Sequence, residues 1–418
     1  MFRMSIISSG SHVVFLNSKT GEQKCVRLPR NTDVYVKPLS FQADSLVGQR
    51  FGQKYQVVKH QLVKVEEAPS SLSEPSEHCG KTNEFIKDDS ATQNLSQNDI
   101  EAMKAKGITG DEIVRNLVEN STSFNVKTEF SKAKWLKKKI GKYQPNIIVK
   151  KPSIRLFSSS NISKLRPDIL AKIMNNANVW SGSKAIVVEC KDDLLTSAVS
   201  QRVGDKGTVV QIFEQKLPHT MYCKWLDFSK QHMEAALKYY PIKFLAKLRP
   251  NVEEGNCDGN DLANDESADQ PQELGKRKRD AKPVNFEDYV TVYEQLKTGN
   301  FDSLVISAFY DPFPVLELLW DSLRFSGNLV IHSEYLSVVV ECANFVNNKG
   351  CSELSVVDQW FREIQVLPGR SHPAMRMQTG GGFVLSCTKI REGIYEHGSD
   401  SPILPELKEA PKPAEAMT

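Results

Sequence analysis

Between Lys184 and Phe213 the chain runs strand, helix, strand within 30 residues. Ala185-Ile186-Val187-Val188-Glu189 is an apolar run ending in an acid, and such a run requires burial on both faces. Leu194 to Val203 has helical composition. Gly204 and Gly207 then turn the chain into a second β-branched run, Thr208 to Phe213. Two parallel strands need a crossover between them, and the helix supplies it. A βαβ unit of this kind fixes the architecture of the C-terminal part as α/β with a mostly parallel sheet.

The alternation resumes further on. Leu304 to Ser307 reads as a strand, Val315 to Arg324 as a helix, Asn328 to His332 as a strand and Leu336 to Asn347 as a helix. Val356 to Val366 and Gly382 to Thr388 are the last strand candidates. The loop joining them carries Pro368, Gly369, Pro373 and three glycines, which predicts an antiparallel hairpin closing the sheet. The interruption at 251–285 is poor in apolar residues. Asn251 to Leu274 holds eight acidic residues and no basic one, and Lys276-Arg277-Lys278-Arg279 follows at once. It reads as a disordered insertion carrying a nuclear-import candidate, and the proline-bearing tail at 393–418 reads as disordered too.

The N-terminal part has a different rhythm. Val13-Val14-Phe15-Leu16, Val34-Tyr35-Val36 and Tyr55-Gln56-Val57-Val58 are short β runs separated by turn formers. Residues 1–66 therefore read as a small barrel or sandwich. Residues 67–95 read as a disordered linker. A helical basic connector is expected over 96–150: Ser96 caps a first helix, Thr109 and Glu112 have capping-box spacing for a second, and Pro145 ends a third. Residues 151–392 then form the α/β domain.

The sequence has 54 basic and 51 acidic residues, a net of +3. That balance hides a sharp segregation. Lys127 to Arg155 holds ten basic residues and Glu129 as the sole acid, so 10 − 1 = +9. Phe130, Trp135 and Tyr143 interleave with them. Dense like charge repels itself, and a polyanion relieves the repulsion while releasing counterions. Aromatics among the lysines are suited to stacking on unpaired bases. A solvated helix face or a nuclear-import patch is the plainer alternative. The eight cysteines contain no Cys-x-x-Cys pair, so a structural zinc site is not expected. No run nears the roughly 18 apolar residues a membrane span needs.

The other informative feature is an absence. A nucleotide-binding βαβ unit places glycines after its first strand, so that backbone N–H groups approach the cofactor. Here that turn is Cys190-Lys191-Asp192-Asp193-Leu194, with no glycine and two acids that would repel a carboxylate or phosphate. Glu214, after the second strand, sits where an acid often holds ribose hydroxyls, but without the glycines it reads as a surface residue. Gly380-Gly381-Gly382 precedes a strand and not a helix, so it reads as a turn. No Ser/His/Asp or Cys/His set is recognisable. Arg370, in a loop with His372, has the geometry to grip a phosphate or to form a surface salt bridge.

Several stretches together resemble a known family, the non-catalytic subunits of the eukaryotic tRNA (adenine-58-N1)-methyltransferase. They are Gly107-Ile108-Thr109-Gly110-Asp111-Glu112-Ile113-Val114, Glu119-Asn120-Ser121-Thr122-Ser123-Phe124 and Lys127-Thr128-Glu129-Phe130. Near the C-terminus come Gln365-Val366-Leu367-Pro368-Gly369-Arg370-Ser371-His372-Pro373 and Phe383-Val384-Leu385-Ser386, and Gly48 to Gly52 fits as well. The resemblance implies an N-terminal β-barrel domain, a helical connector and a class I methyltransferase-like, Rossmann-type domain with a degenerate cofactor site. It implies no cofactor in this chain, S-adenosylmethionine on a catalytic partner subunit, a heterotetramer, and the T-loop adenosine of tRNA as substrate. Aligned on Pro312-Phe313-Pro314, the family's catalytic Asp falls on Tyr310 and its Trp on Val315, with Asp311 one residue off. The expected RNA contacts are Lys134, Lys137, Lys138, Lys139, Lys142 and Arg370. Lys276, Arg277, Lys278 and Arg279 imply a nuclear location. The competing expectations are an independent S-adenosylmethionine-dependent RNA methyltransferase and a translation-related RNA-binding scaffold.

Overall fold

The computed structural model describes residues 5–29, 33–58, 60–65, 93–106, 108, 110–143, 146–159, 165–189, 192–215, 217–248, 286–367, 370–375 and 380–391. The interruption at 251–285 with Lys276, Arg277, Lys278 and Arg279, nearly all of the expected linker and the tail lie outside them.

Three antiparallel pairs open the chain. They are β1 (His12–Asn17) with β2 (Gln23–Arg27), β3 (Val34–Val36) with β4 (Leu39–Phe41), and β5 (Lys54–Val58) with β6 (Gln61–Lys64). Helices α1 (Gln97–Ala105), α2 (Gly110–Glu119) and α3 (Glu129–Tyr143) follow. The chain then returns as β7 (Asn146–Lys150), which pairs antiparallel with both β1 and β5. The expected connector is thus helical only to Tyr143, and its last five residues are the middle strand of the first sheet. The cause is local: Pro145 halts the helix, and Ile147-Ile148-Val149 is a β-branched run whose alternate members, Ile147 and Val149, are fully buried. Among the described residues the strand order is β2-β1-β7-β5-β6, and these pairings do not by themselves give the expected barrel closure. The β3–β4 hairpin covers this sheet: Val34, Val36 and Phe41 share a core with Phe15 and Ile147.

The three helices pack on each other through Ile100, Ile113, Val114, Leu117, Leu136, Ile140 and Tyr143. Ser96 and Asp99 cap α1 reciprocally. The Asp99 carboxylate accepts the Ser96 N–H at 2.9 Å, and the Ser96 hydroxyl accepts the Asp99 N–H at 3.3 Å.

The α/β domain begins with α4 (Ile154–Ser158) and α5 (Pro167–Asn176). There follow β8 (Lys184–Glu189), α6 (Leu194–Val203), β9 (Thr208–Phe213), α7 (Met221–Trp225), α8 (Lys230–Ala236) and β10 (Leu237–Pro241). Next come α9 (Phe286–Thr298), β11 (Phe301–Ser307), α10 (Phe313–Leu319), β12 (Leu323–Ser333) and α11 (Leu336–Asn348). The last elements are β13 (Cys351–Trp360), β14 (Ile364–Leu367), β15 (Arg370–Pro373) and β16 (Gly380–Lys389). The sheet order is β10-β9-β8-β11-β12-β16-β13, parallel from β10 to β12, with β16 antiparallel to both neighbours. This is the mixed, doubly wound Rossmann-type sheet. Ala185 and Val187 face one layer with Ile169, Ile173, Leu195 and Val199. Ile186 and Val188 face the other with Val292, Leu316, Val339 and Val346.

Gly207 is required by space, since a Cβ there would lie 2.3 Å from the Ser183 carbonyl oxygen. The helix expected to reach Arg324 stops at Leu319, and the strand starts at Leu323. The strand expected over Val356–Val366 is two strands, because β14 pairs with β15 and not with the main sheet. The first sheet joins this domain through Val14, which enters its core, and through His12, whose N–H donates to the Asp227 carboxylate at 3.0 Å.

Candidate nucleic-acid interface and degenerate cofactor end

Among parallel strands, ligands gather at the C-terminal edge, beside the N-terminus of the following helix. That position lies at the end of β8, and a side chain of the same strand occupies it. Glu189 Oε1 accepts the N–H of Leu195 at 2.9 Å, and Oε2 accepts the N–H and the hydroxyl of Thr196, each at 3.0 Å. Asp192 accepts the N–H of Leu194 at 3.3 Å. The fully buried Asp193 carboxylate accepts the N–H groups of Tyr222 and Cys223 at the start of α7, both at 3.0 Å. The helix donors that would meet a cofactor are therefore satisfied from within.

Burial, reinforced by the neighbouring Asp192, raises the Glu189 carboxyl well above the usual carboxylate range. Among the described residues the buried Tyr222 hydroxyl has no hydrogen-bond partner; burial first, and the three acids second, push its pKa up. These residues do not fit S-adenosylmethionine. Glu189 takes the donors, Asp192 and Asp193 crowd the same turn with negative charge, and no glycine opens the backbone between Cys190 and Leu194. Glu214 is exposed, as a surface residue should be. Asp311 accepts the N–H of Phe313 at 3.0 Å and so caps α10, Tyr310 packs against the apolar layer, and Val315 is buried.

One constellation gave no sequence signal. Ser200 Oγ lies 2.8 Å from His232 Nε2, and His232 Nδ1 lies 2.5 Å from Asp205 Oδ1. The residue types are those of a hydrolytic triad, but Ser200 has zero exposure in α6, so no substrate reaches its hydroxyl. The set ties α8 to α6. His232 is 32 residues from Ser200, and only the fold brings them together.

The basic segment divides between α3 and β7. Lys134, Lys138 and Lys142 are exposed and follow i, i+4, i+8, so they form one stripe about 12 Å long. Lys139 is half-buried with its Nζ 5.3 Å from the centre of the Trp135 ring, and Lys142 Nζ lies 5.1 Å from that of Tyr143. The Lys137 side chain lies outside the described residues. Lys127 and Lys132 are buried and contribute nothing to an open surface. The aromatics are not a free stacking platform either: Trp135 lies against Phe124, ring centres 5.1 Å apart, and Tyr143 belongs to the helical core.

A second surface was missed by sequence reasoning. Around β13 to β15 large apolar side chains face solvent: Trp360 at 62%, Val366 at 77% and Met375 at 90% exposure, with Phe361 and Ile364 beside them. Among the described residues β13 is also an edge strand. An apolar strand edge of this kind calls for a partner. Arg370 sits opposite Leu367 in the β14–β15 pair, with its side chain outside the described residues. His372 is half-buried, its Nδ1 2.9 Å from the Pro373 carbonyl oxygen. Among the described residues no helix is long and apolar enough to cross a membrane, and no group of three His, Cys, Asp or Glu converges on a metal position.

Comparison with known proteins gives the following. The chain is 30% identical over 424 residues to the tRNA (adenine(58)-N(1))-methyltransferase non-catalytic subunit TRM6 of Mus musculus, spanning 87% of this chain and 84% of that one. It is 27% identical over 432 residues to the like-named subunit of Dictyostelium discoideum, spanning 94% and 81%. Among solved structures it is similar to a SAM-dependent O-methyltransferase of Thermotoga maritima, at 10% identity and TM-score 0.49, spanning 92% of this chain and 94% of that one. The Gcd10p family matches residues 6–273. That match spans more than half of the chain, and the chain belongs to the Gcd10p family.

Proposed function

We propose that this chain is the non-catalytic, tRNA-binding subunit of a tRNA (adenine-58-N1)-methyltransferase complex. The observation that carries the reading is the Glu189 carboxylate on the α6 donors, in a chain whose relatives bear that name. S-adenosylmethionine belongs to the catalytic partner. N1 of the target adenine is reached only when the base leaves the folded tRNA, which costs a few kcal/mol of unstacking. Phosphate contacts from Lys134, Lys137, Lys138, Lys139 and Lys142 offset that cost, and Arg370 reaches tRNA from the β14–β15 arm. The partner docks on the exposed apolar face of β13 to β15, and two such pairs form the heterotetramer. Lys276, Arg277, Lys278 and Arg279 direct the chain to the nucleus.

The decisive experiment mixes this chain with its catalytic partner and scores N1-methyladenosine in tRNA by mass spectrometry. The expected result is activity only from the mixture, and full activity from the partner alone would refute the reading. Calorimetric titration of the isolated chain with S-adenosylmethionine should give no heat; saturable heat would favour an independent methyltransferase. The mass of the complex in solution tests the heterotetramer. A fluorescent fusion lacking residues 276–279 should lose nuclear accumulation if those four residues are the import signal.

A further inference from the structure

The β14–β15 arm leaves the sheet after β13 and returns to it at β16. One side chain bridges both feet. Arg166, immediately before α5, is held in a forked pair by Asp168, with Nε 3.0 Å from Oδ1 and Nη2 2.7 Å from Oδ2. With its plane fixed, Nη1 donates to the Gly380 carbonyl at 2.9 Å and Nη2 to the Gln359 carbonyl at 3.3 Å. The guanidinium also lies 5.9 Å from the centre of the Phe361 ring. Gln359 and Phe361 belong to the outgoing foot, and Gly380 opens the returning one.

The returning foot is shaped to receive it. A Cβ on Gly381 would lie 2.6 Å from Arg166 Nη2 and 2.8 Å from Ile169 Cδ1, so a side chain there would push both tips aside, the guanidinium included. The Gly381 carbonyl accepts from His332 Nε2 at 2.9 Å, and His332 Nδ1 faces Ser307 Oγ at 3.1 Å. With Nε2 protonated toward a carbonyl, Nδ1 is the acceptor for the serine hydroxyl. Burial lowers the His332 pKa and keeps this neutral form.

We propose that Arg166 is a positioning residue: it anchors the two feet of the arm and so presents the arm's apolar face to the catalytic partner. This rests on the reading that the partner docks there. A lysine cannot replace it, because one ammonium cannot hold Asp168 in a fork while donating to two carbonyls on separate strands.

The test uses the full chain and its catalytic partner. Arg166→Ala, Arg166→Lys and Gly381→Ala should each weaken partner binding about tenfold or more, with the midpoint of thermal unfolding of the chain little changed. Amide exchange at Ile364–Leu367 should quicken in Arg166→Ala while β8 and β11 stay protected. Methylation at limiting chain should fall and return to the wild-type rate at saturating chain, which separates presentation from chemistry. Val366→Asp is the control for docking itself. If Val366→Asp weakens binding and Arg166→Ala does not, the anchor is overturned. If Val366→Asp has no effect, the docking reading fails. Full binding by Arg166→Lys would overturn the forked geometry as the cause.

Discussion

Consider replacing Glu189, the acid at the end of β8. In Glu189→Ala, two backbone N–H groups and one hydroxyl lose their acceptor in a buried site. Each buried donor left unsatisfied costs about 1–3 kcal/mol. Removing an acid that burial already penalises gives part of that back, so a net loss of about 2–5 kcal/mol is expected. Glu189→Gln keeps the volume and one acceptor oxygen and should cost far less. The two variants also separate charge from hydrogen bonding. The folded-state pKa is raised above the ordinary value of 4.5, with burial outweighing the N–H groups that favour the anion. The stability tied to the proton is therefore full below 4.5 and is lost as pH rises from there through the folded pKa. Glutamine lacks that loss. Urea unfolding at a series of pH values from about 4.5 upward should thus show Glu189→Gln gaining on the wild type as pH rises. A flat difference, or Glu189→Ala within about 0.5 kcal/mol of wild type, would refute the assignment of Glu189 as the occupant of the α6 donors.

Other outcomes follow from the same geometry. Replacing Lys134, Lys138 and Lys142 together by alanine should weaken tRNA binding and reduce the slope of log affinity against log salt by about 2–3, read from a salt series. Ile147→Ala, in the middle strand of the first sheet, should cost about 2–5 kcal/mol in urea unfolding, whereas a connector residue would cost little. Gly207→Ala forces a Cβ to within 2.3 Å of a carbonyl oxygen and should lower the unfolding midpoint by several degrees in calorimetry.

The parts of this fold that sequence revealed are those whose periodicity is local. The helix Leu194–Val203 and the strand Thr208–Phe213 have their expected limits, because glycines bound them and both faces of the strand are apolar. β7 was absorbed into a helical connector because its partners β1 and β5 are about a hundred residues away, and five residues carry no periodicity of their own. The lysine stripe was legible as charge, but which lysines face outward depends on packing: Lys132 pairs with Glu129 at 3.8 Å and is buried, while Lys134 is open. The absence of glycines from the turn after β8 was legible in the sequence. That Glu189 would take the α6 amides needed the helix in place, since the acid lies six and seven residues before the amides it accepts from. The apolar arm and Arg166 were invisible, because Gly380 is 214 residues from the arginine it meets.

The route of β7 has a consequence for how the chain is made and cut. The first sheet is incomplete until residue 150 has left the ribosome, because β1 and β5 have no shared neighbour before then. A fragment ending at residue 66 would expose two unsatisfied edges and would be expected to aggregate. Conversely, a single cut between β6 and α1 would leave both pieces stitched together by the β7 ladder. The helical unit is therefore an excursion from the first sheet, and the lysine stripe is carried on a loop of chain whose two ends are fastened to the same surface.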